Sequence, residues 1–128
     1  MEPWSKDELN KIGSADELQI AALRADGTLR KPVIIWVVRL GDELYVRSVN
    51  GRTSAWFRGV QVQQAGRIWA SGMEKDVCFV EAADPGINEK IDAAYAAKYR
   101  RSPSSVEHIN SPTARSATIK LMPLSIGT

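Results

Sequence analysis

Apolar residues along this chain change period several times, and each change marks an element. Pro32 to Leu40 is an almost unbroken apolar run of Val, Ile and Trp, the composition of a buried strand. Glu43 to Val49 alternates instead, with Leu44, Val46 and Ser48 on one face and Tyr45, Arg47 and Val49 on the other. Gly41-Asp42 between them supplies a tight reversal, so the two segments read as a hairpin. Leu18 to Leu23 fits a helix tail or a strand, and the turn residues Arg24-Ala25-Asp26-Gly27-Thr28 after it favour a strand paired with Val33 onward. Arg67 to Ser71, Val77 to Glu81 and Ala114 to Leu121 bring the expected strands to six.

Helical signals are fewer. Ser5-Lys6-Asp7-Glu8 has the form of a capping box and predicts a short helix over about 5–12, with Trp4 ahead of it as a surface staple. Ser54 to about Gln63 places Trp56, Phe57 and Val60 at amphipathic spacing. Asp84-Pro85-Gly86 opens a helix over about 85–100 whose core stripe is Ile91, Ala94, Tyr95, Lys98 and Tyr99. Ser104 to Pro112 reads as a short capped helical turn or a loop. Six short strands without regular strand-helix alternation predict a mainly β fold: an antiparallel barrel with peripheral helices.

A length of 128 residues predicts a single domain over 1–128. With 25% charged and 44% hydrophobic residues the chain fits neither a disordered nor a fibrous class. Val33 to Val38 is too short to cross a bilayer, and the mixed polar start Met1-Glu2-Pro3-Trp4 lacks a leader pattern. A cytoplasmic protein with no membrane partner is therefore expected. The net charge of +2 is dispersed, and the densest basic cluster, Lys98, Arg100 and Arg101, falls where cations complement a helix dipole, so no nucleic-acid partner is expected. Cys78, between Val77 and Phe79, reads as a small buried hydrophobe, and His108 beside Glu107 as a surface residue. One Cys and one His give no metal-ligand spacing, and no catalytic acid or base stands out.

The segment with candidate chemistry is Gly51-Arg52-Thr53-Ser54 at the mouth of the Trp56 helix, where amides, hydroxyls and a guanidinium suit a phosphate. Its plain alternative is an ordinary helix start, capped by Thr53 or Ser54 with Arg52 in solvent.

The order of elements resembles the split-barrel flavoproteins: the pyridoxamine-phosphate-oxidase-like proteins and, more closely, their deazaflavin-dependent nitroreductase branch. The likeness lies in Arg30-Lys31-Pro32-Val33-Ile34, in the hairpin Arg39 to Ser48, in Ser54-Ala55-Trp56-Phe57-Arg58, and in Thr113-Ala114-Arg115 through Leu124. It implies a six-stranded antiparallel split β-barrel that forms a homodimer and holds FMN or a deazaflavin. The implied phosphate contacts are Arg30, Lys31, Arg47, Arg52, Thr53 and Ser54, with Trp56 packed beside the ring; an oxidoreductase acting on a small molecule would follow. The chain departs from the family pattern at Arg24 to Lys31, where a Gly-Arg-x-Ser-Gly loop is usual, at Gly59 in place of an Asn, and at Gln64-Ala65-Gly66 in place of an Asn-Pro. It is similar in this to an uncharacterised bacterial side branch. The alternative these departures imply is a non-enzymatic split barrel that binds another ligand or partner.

Overall fold

The computed structural model describes residues 3–124; the expected domain over 1–128 includes ends that lie outside the described residues. Seven antiparallel strands form one curled sheet: β1 (Leu18–Ala22), β2 (Val33–Ile35), β3 (Val38–Leu40), β4 (Glu43–Arg47), β5 (Ala65–Ala70), β6 (Met73–Glu81) and β7 (Thr118–Pro123). Their spatial order is β2-β1-β5-β6-β7-β4-β3. The edge strands are therefore consecutive in sequence, joined only by Trp36 and Val37. The three residue steps from Ile35 to Val38 span about 10 Å at most, so the sheet must curl until its two edges nearly meet. This is an antiparallel barrel open along one seam, with helices around it.

Six strands were expected and seven form, because the run Pro32 to Leu40 divides at that link. Val33 to Ile35 pairs with β1, whereas Val38 to Leu40 pairs with β4. The β3–β4 hairpin turns at Gly41-Asp42 as expected, with Gly41 at φ +63°. The β5–β6 hairpin turns at Ser71 and Gly72, both at positive φ, the geometry of a two-residue reversal. Strand β5 starts at Ala65 rather than Arg67, because Gly66 lies so close to the β1 backbone at Ala21 that no side chain fits.

Helix α1 (Lys6–Gly13) has the expected capping box, with Ser5 and Glu8 bonding reciprocally. Trp4 is not a surface staple: it is 5% exposed, and its indole N–H donates to the Leu121 carbonyl at 3.0 Å, closing one end of the barrel. Helix α2 (Ala55–Val62) follows a short 3-10 turn at Gly51–Thr53. Helix α3 (Pro85–Lys98) starts where Asp84 accepts from the Ile87 amide at 2.8 Å. Two short helices, α4 (Pro103–Ile109) and α5 (Pro112–Arg115), occupy the Ser/Asn-rich segment, so β7 begins only at Thr118.

Two cores result. Leu18, Ile20, Leu44, Val46, Phe57, Ile68, Val77, Ile119 and Leu121 belong to the core inside the barrel. A second, outside it, packs Ile91 and Tyr95 of α3 and Ile109 of α4 against Val38 and Tyr45. Strand β4 is consequently covered on both faces.

The link itself is clamped from α3. Trp36 stacks on Tyr99 with ring centroids 3.8 Å apart and planes at 2°. Tyr99 Oη accepts from the Val37 amide and donates to the Asp16 carbonyl at 2.8 Å, and Lys98 Nζ donates to the Val37 carbonyl at 2.6 Å. Burial pulls the Lys98 ammonium down to about 8, against the opposing pull of the Asp16 carboxylate. Below that pH the amine is charged whether the chain is folded or unfolded. Between about 8 and the 10.5 of an unburied lysine, the unfolded chain holds a proton that the folded chain has released, so stability rises with pH. Tyr99, pushed up to about 12 by burial, acts in the opposite sense only above its ordinary value of 10.0. The urea midpoint of the wild type should therefore rise relative to that of Lys98→Met between about pH 7.5 and about pH 9.5. A constant difference across that window would count against the assignment.

Candidate ligand-binding cleft

A cavity of about 460 Å³ opens beside the seam, between β2, the end of β4, the start of α2, and α4. Its apolar wall is formed by Val33, Ile35, Trp36, Trp56 and Ile109, and its polar wall includes Ser48, Asn50, Ser54 and Ser105. Trp36 reaches it because the strand ends at Ile35, and Ser48 because the β4 alternation continues one residue past Arg47.

Ser54 has the extended backbone of a helix N-cap (φ −63°, ψ 147°), yet its hydroxyl does not cap. It meets the Ser48 hydroxyl at 2.7 Å and the Gly51 carbonyl at 3.3 Å instead. The first-turn amides of α2 thus have no side-chain cap. Gly51 makes the turn possible: it sits at φ +81°, and a Cβ there would meet Thr113 Cγ2 at 2.6 Å.

Among the residues expected to bind a cofactor, the structure brings Arg47, Ser54 and Trp56 to this cleft. Arg47, however, is committed. Alternation puts it on the outer face of β4, where α3 and α4 bury it completely. Its Nε donates to Thr118 Oγ1 at 2.9 Å. Nη1 donates to Asp92 Oδ1 at 2.6 Å and Asn110 Oδ1 at 3.0 Å, with the Ile109 carbonyl at 3.3 Å. Nη2 donates to Asn88 Oδ1 at 2.9 Å and to its carbonyl at 3.2 Å. A guanidinium has five N–H groups, and these contacts engage all three nitrogens. Asp92 is shared with Arg115, and the Asn88 amide turns its own N–H groups to the Ala82 and Asp84 carbonyls.

Arg52 lies elsewhere. It pairs with Glu81 at 2.6 Å, donates to the Ser116 carbonyl at 2.9 Å, and lines a separate cavity of about 510 Å³ with Asn88 and Arg115. Thr53 is exposed in the 3-10 turn and Lys31 is exposed before β2. Arg30 packs its side chain against Gly59 of α2, where an added Cβ would meet its Nε at 2.8 Å. Gly59 stands where the resemblance leads one to expect an Asn, and the lack of a side chain there makes room for Arg30. Arg30, Lys31, Arg52 and Thr53 are thus not brought into the lining of this cleft.

Sequence reasoning did not single out Ser48, Asn50 or Ser105. Only Ser48 carried a signal, its place in the β4 alternation. Among the described residues no group of three His, Cys, Asp or Glu side chains gathers in a way that holds a metal, and no helix is long and apolar enough to cross a membrane.

The two arginines separate in their expected effect on stability. Arg47→Met leaves Asp92, Asn88 and Thr118 without their shared donor and should destabilise by about 3–5 kcal/mol. Arg52→Ala removes an exposed pair and should cost about 1 kcal/mol or less. Urea unfolding of the two variants checks the ranking, and equal losses would overturn it.

No curated protein sequence matches the chain. Solved structures do. A protein from Listeria innocua provisionally named a pyridoxamine 5'-phosphate oxidase superposes with a TM-score of 0.66 at 15% identity, covering 91% of this chain and 90% of that one. An FAD-binding protein from Mesorhizobium loti gives 0.58 at 17% identity, covering 97% and 93%. The heme storage protein HutZ from Vibrio cholerae gives 0.62 at 13% identity, covering 87% and 83%. These likenesses establish the fold, the split barrel of the pyridoxamine-phosphate-oxidase-like proteins. A family model matches residues 8–121, nearly the whole described chain, and by that match the chain belongs to the family described as "Uncharacterized protein conserved in bacteria" (DUF2255).

Proposed function

We propose that this split barrel binds a flat flavin-type ring in the cleft beside its seam. The observation that carries the reading is the meeting of Trp36 and Trp56 in one cavity with uncapped α2 amides and the Ser48–Ser54 pair. Its volume of about 460 Å³ suits a tricyclic ligand. Indole faces and aliphatic side chains favour an aromatic ring, and a few convergent polar groups fix its orientation. The FAD-binding name of the Mesorhizobium neighbour supports the same ligand class.

A bound flavin or deazaflavin supplies hydride and electron transfer. The chain's part is to seat the ring, turn its polar edge toward the serines and the α2 amides, and exclude water with Val33, Ile35 and Ile109. A redox role on a small molecule is the extension of this reading. One observation favours the non-redox alternative. The loop that departs from the family pattern is closed on itself, with Asp26 accepting from the Thr28 amide at 3.0 Å and Arg24 donating to the Leu29 carbonyl at 2.7 Å.

The reading includes a homodimer, supported by Ile34 and Val49, aliphatic side chains that line the cleft yet are 59% and 46% exposed. A second copy seated there covers both, and light scattering of wild type and Ile34→Glu should give dimer and monomer respectively.

Titration of the purified protein with riboflavin, followed by flavin fluorescence, tests the ring site directly. Saturable binding is expected, weakened roughly three- to ten-fold in Trp56→Leu, the worth of one aromatic contact. Undiminished affinity in that variant would place the ring elsewhere. Reduction of the bound ring by a hydride donor, with transfer to an acceptor, separates the redox extension from the alternative.

A further inference from the structure

We propose that Lys98 is an acylation site: the hollow at the end of α3 receives a small anionic acyl donor, an acyl phosphate, and Lys98 Nζ takes its acyl group. The inference is independent of what the cleft binds.

Lys98 ends α3, is half-buried, and lines a hollow of about 580 Å³ together with Asp16, Glu17, Trp36, Tyr99, Arg100 and Arg101. Its amine is held without a carboxylate. Nζ donates to the Val37 carbonyl at 2.6 Å and lies 5.0 Å from the centre of the Tyr99 ring, whereas Lys11 and Lys75 pair with Asp7 and Glu8. An ammonium here has one protein acceptor for its three N–H groups. A neutral amine asks for less: one N–H serves Val37, and the lone pair is left for an electrophile in the hollow. Burial favours that form, bringing the amine down to about 8, and the Asp16 carboxylate opposes it. At about pH 7.5 roughly a quarter of the amine is neutral, against about one part in a thousand for an unburied lysine at 10.5.

The leaving group is set by the rim. Arg100 and Arg101 are exposed, and among the described residues their side chains make no hydrogen bond or ion pair. Asp16 and Glu17 balance them in charge, so a phosphate is selected by short guanidinium hydrogen bonds rather than by the net field. The step needs no further reagent. The Nζ lone pair attacks the acyl carbon, an N–C bond forms as the C–O bond to phosphate breaks, inorganic phosphate leaves, and the amine proton passes to water. The resulting amide keeps one N–H for the Val37 carbonyl and carries no charge to be desolvated, so the clamp on the link survives.

Acetyl phosphate added to the full chain at about pH 7.5, with early acetylation of each lysine read by peptide mass spectrometry, tests this. Lys98 is expected to react about ten-fold faster than the exposed Lys6 and Lys90, the gain in neutral amine being offset in part by the weaker nucleophilicity of a less basic nitrogen. The preference should vanish in the urea-unfolded chain, and the Lys98 rate should level off above about pH 8. The double variant Arg100→Ser/Arg101→Ser is expected to slow Lys98 acetylation by acetyl phosphate about three-fold or more while leaving that by uncharged N-acetylimidazole unchanged. Lys98 reacting no faster than Lys6 and Lys90, or keeping the same preference when unfolded, overturns the acylation site. Equal effects of the double variant on both reagents overturn the phosphate donor.

Discussion

Everything in this molecule depends on a short piece of covalent chain. Trp36 and Val37 carry the backbone from one edge of a seven-stranded sheet to the other, and no reorganisation of side chains can lengthen that span. The curl of the sheet, the seam it leaves, and the cleft beside the seam all follow from it. Such a link leaves the Val37 backbone without a strand partner, and α3 supplies one. Tyr99 lies flat on the indole while its hydroxyl and the Lys98 amine satisfy the Val37 backbone. The helix is placed by Ile91 and Tyr95 against β3 and β4, so the second core exists in order to hold the corner.

Burying Arg47 beneath that helical layer is the other commitment. An isolated guanidinium there would be prohibitively desolvated, and the surrounding set is arranged to leave none of its nitrogens unpaired. Its partners come from α3, from the end of α4 and from β7, so one side chain ties three otherwise separate segments to the end of β4. Such a network contributes uniqueness more than net stability. It also decides the electrostatics of the neighbouring cleft, because a cation that is structurally indispensable is no longer available to a ligand.

Much of the fold was legible because it is written in local chemistry. The capping box at Ser5, the Asp84 cap, the Gly41-Asp42 reversal and the alternation of β4 each depend on neighbours in sequence. The misreadings share the opposite property. Trp4 bonds to a carbonyl 117 positions away, and the division of Pro32 to Leu40 reflects two partners, β1 and β4, that the run itself does not name. The site shows the same split. Ser54 and Trp56, which line the cleft, belong to a helix start that local spacing announces. Arg52 carried the strongest anion signal in sequence, but Glu81, 29 positions on, claims it, and no local pattern announces that pairing. Arg47 likewise reads as a half-exposed strand residue until α3 is laid over it.

Among the described residues, Trp36 is the one side chain that lines both the cleft and the polar hollow of about 580 Å³ around Lys98 and Tyr99. The two spaces are thus separated by a single indole that is itself in face-to-face contact with the tyrosine behind it. A molecule that shifts this ring from one side does work on the contact at the other, and the free energy of that coupling is the same in whichever direction it is measured. A ligand that displaced the indole would therefore change the proton affinity of Lys98, and protonation of that amine would change the ligand's affinity by the same factor.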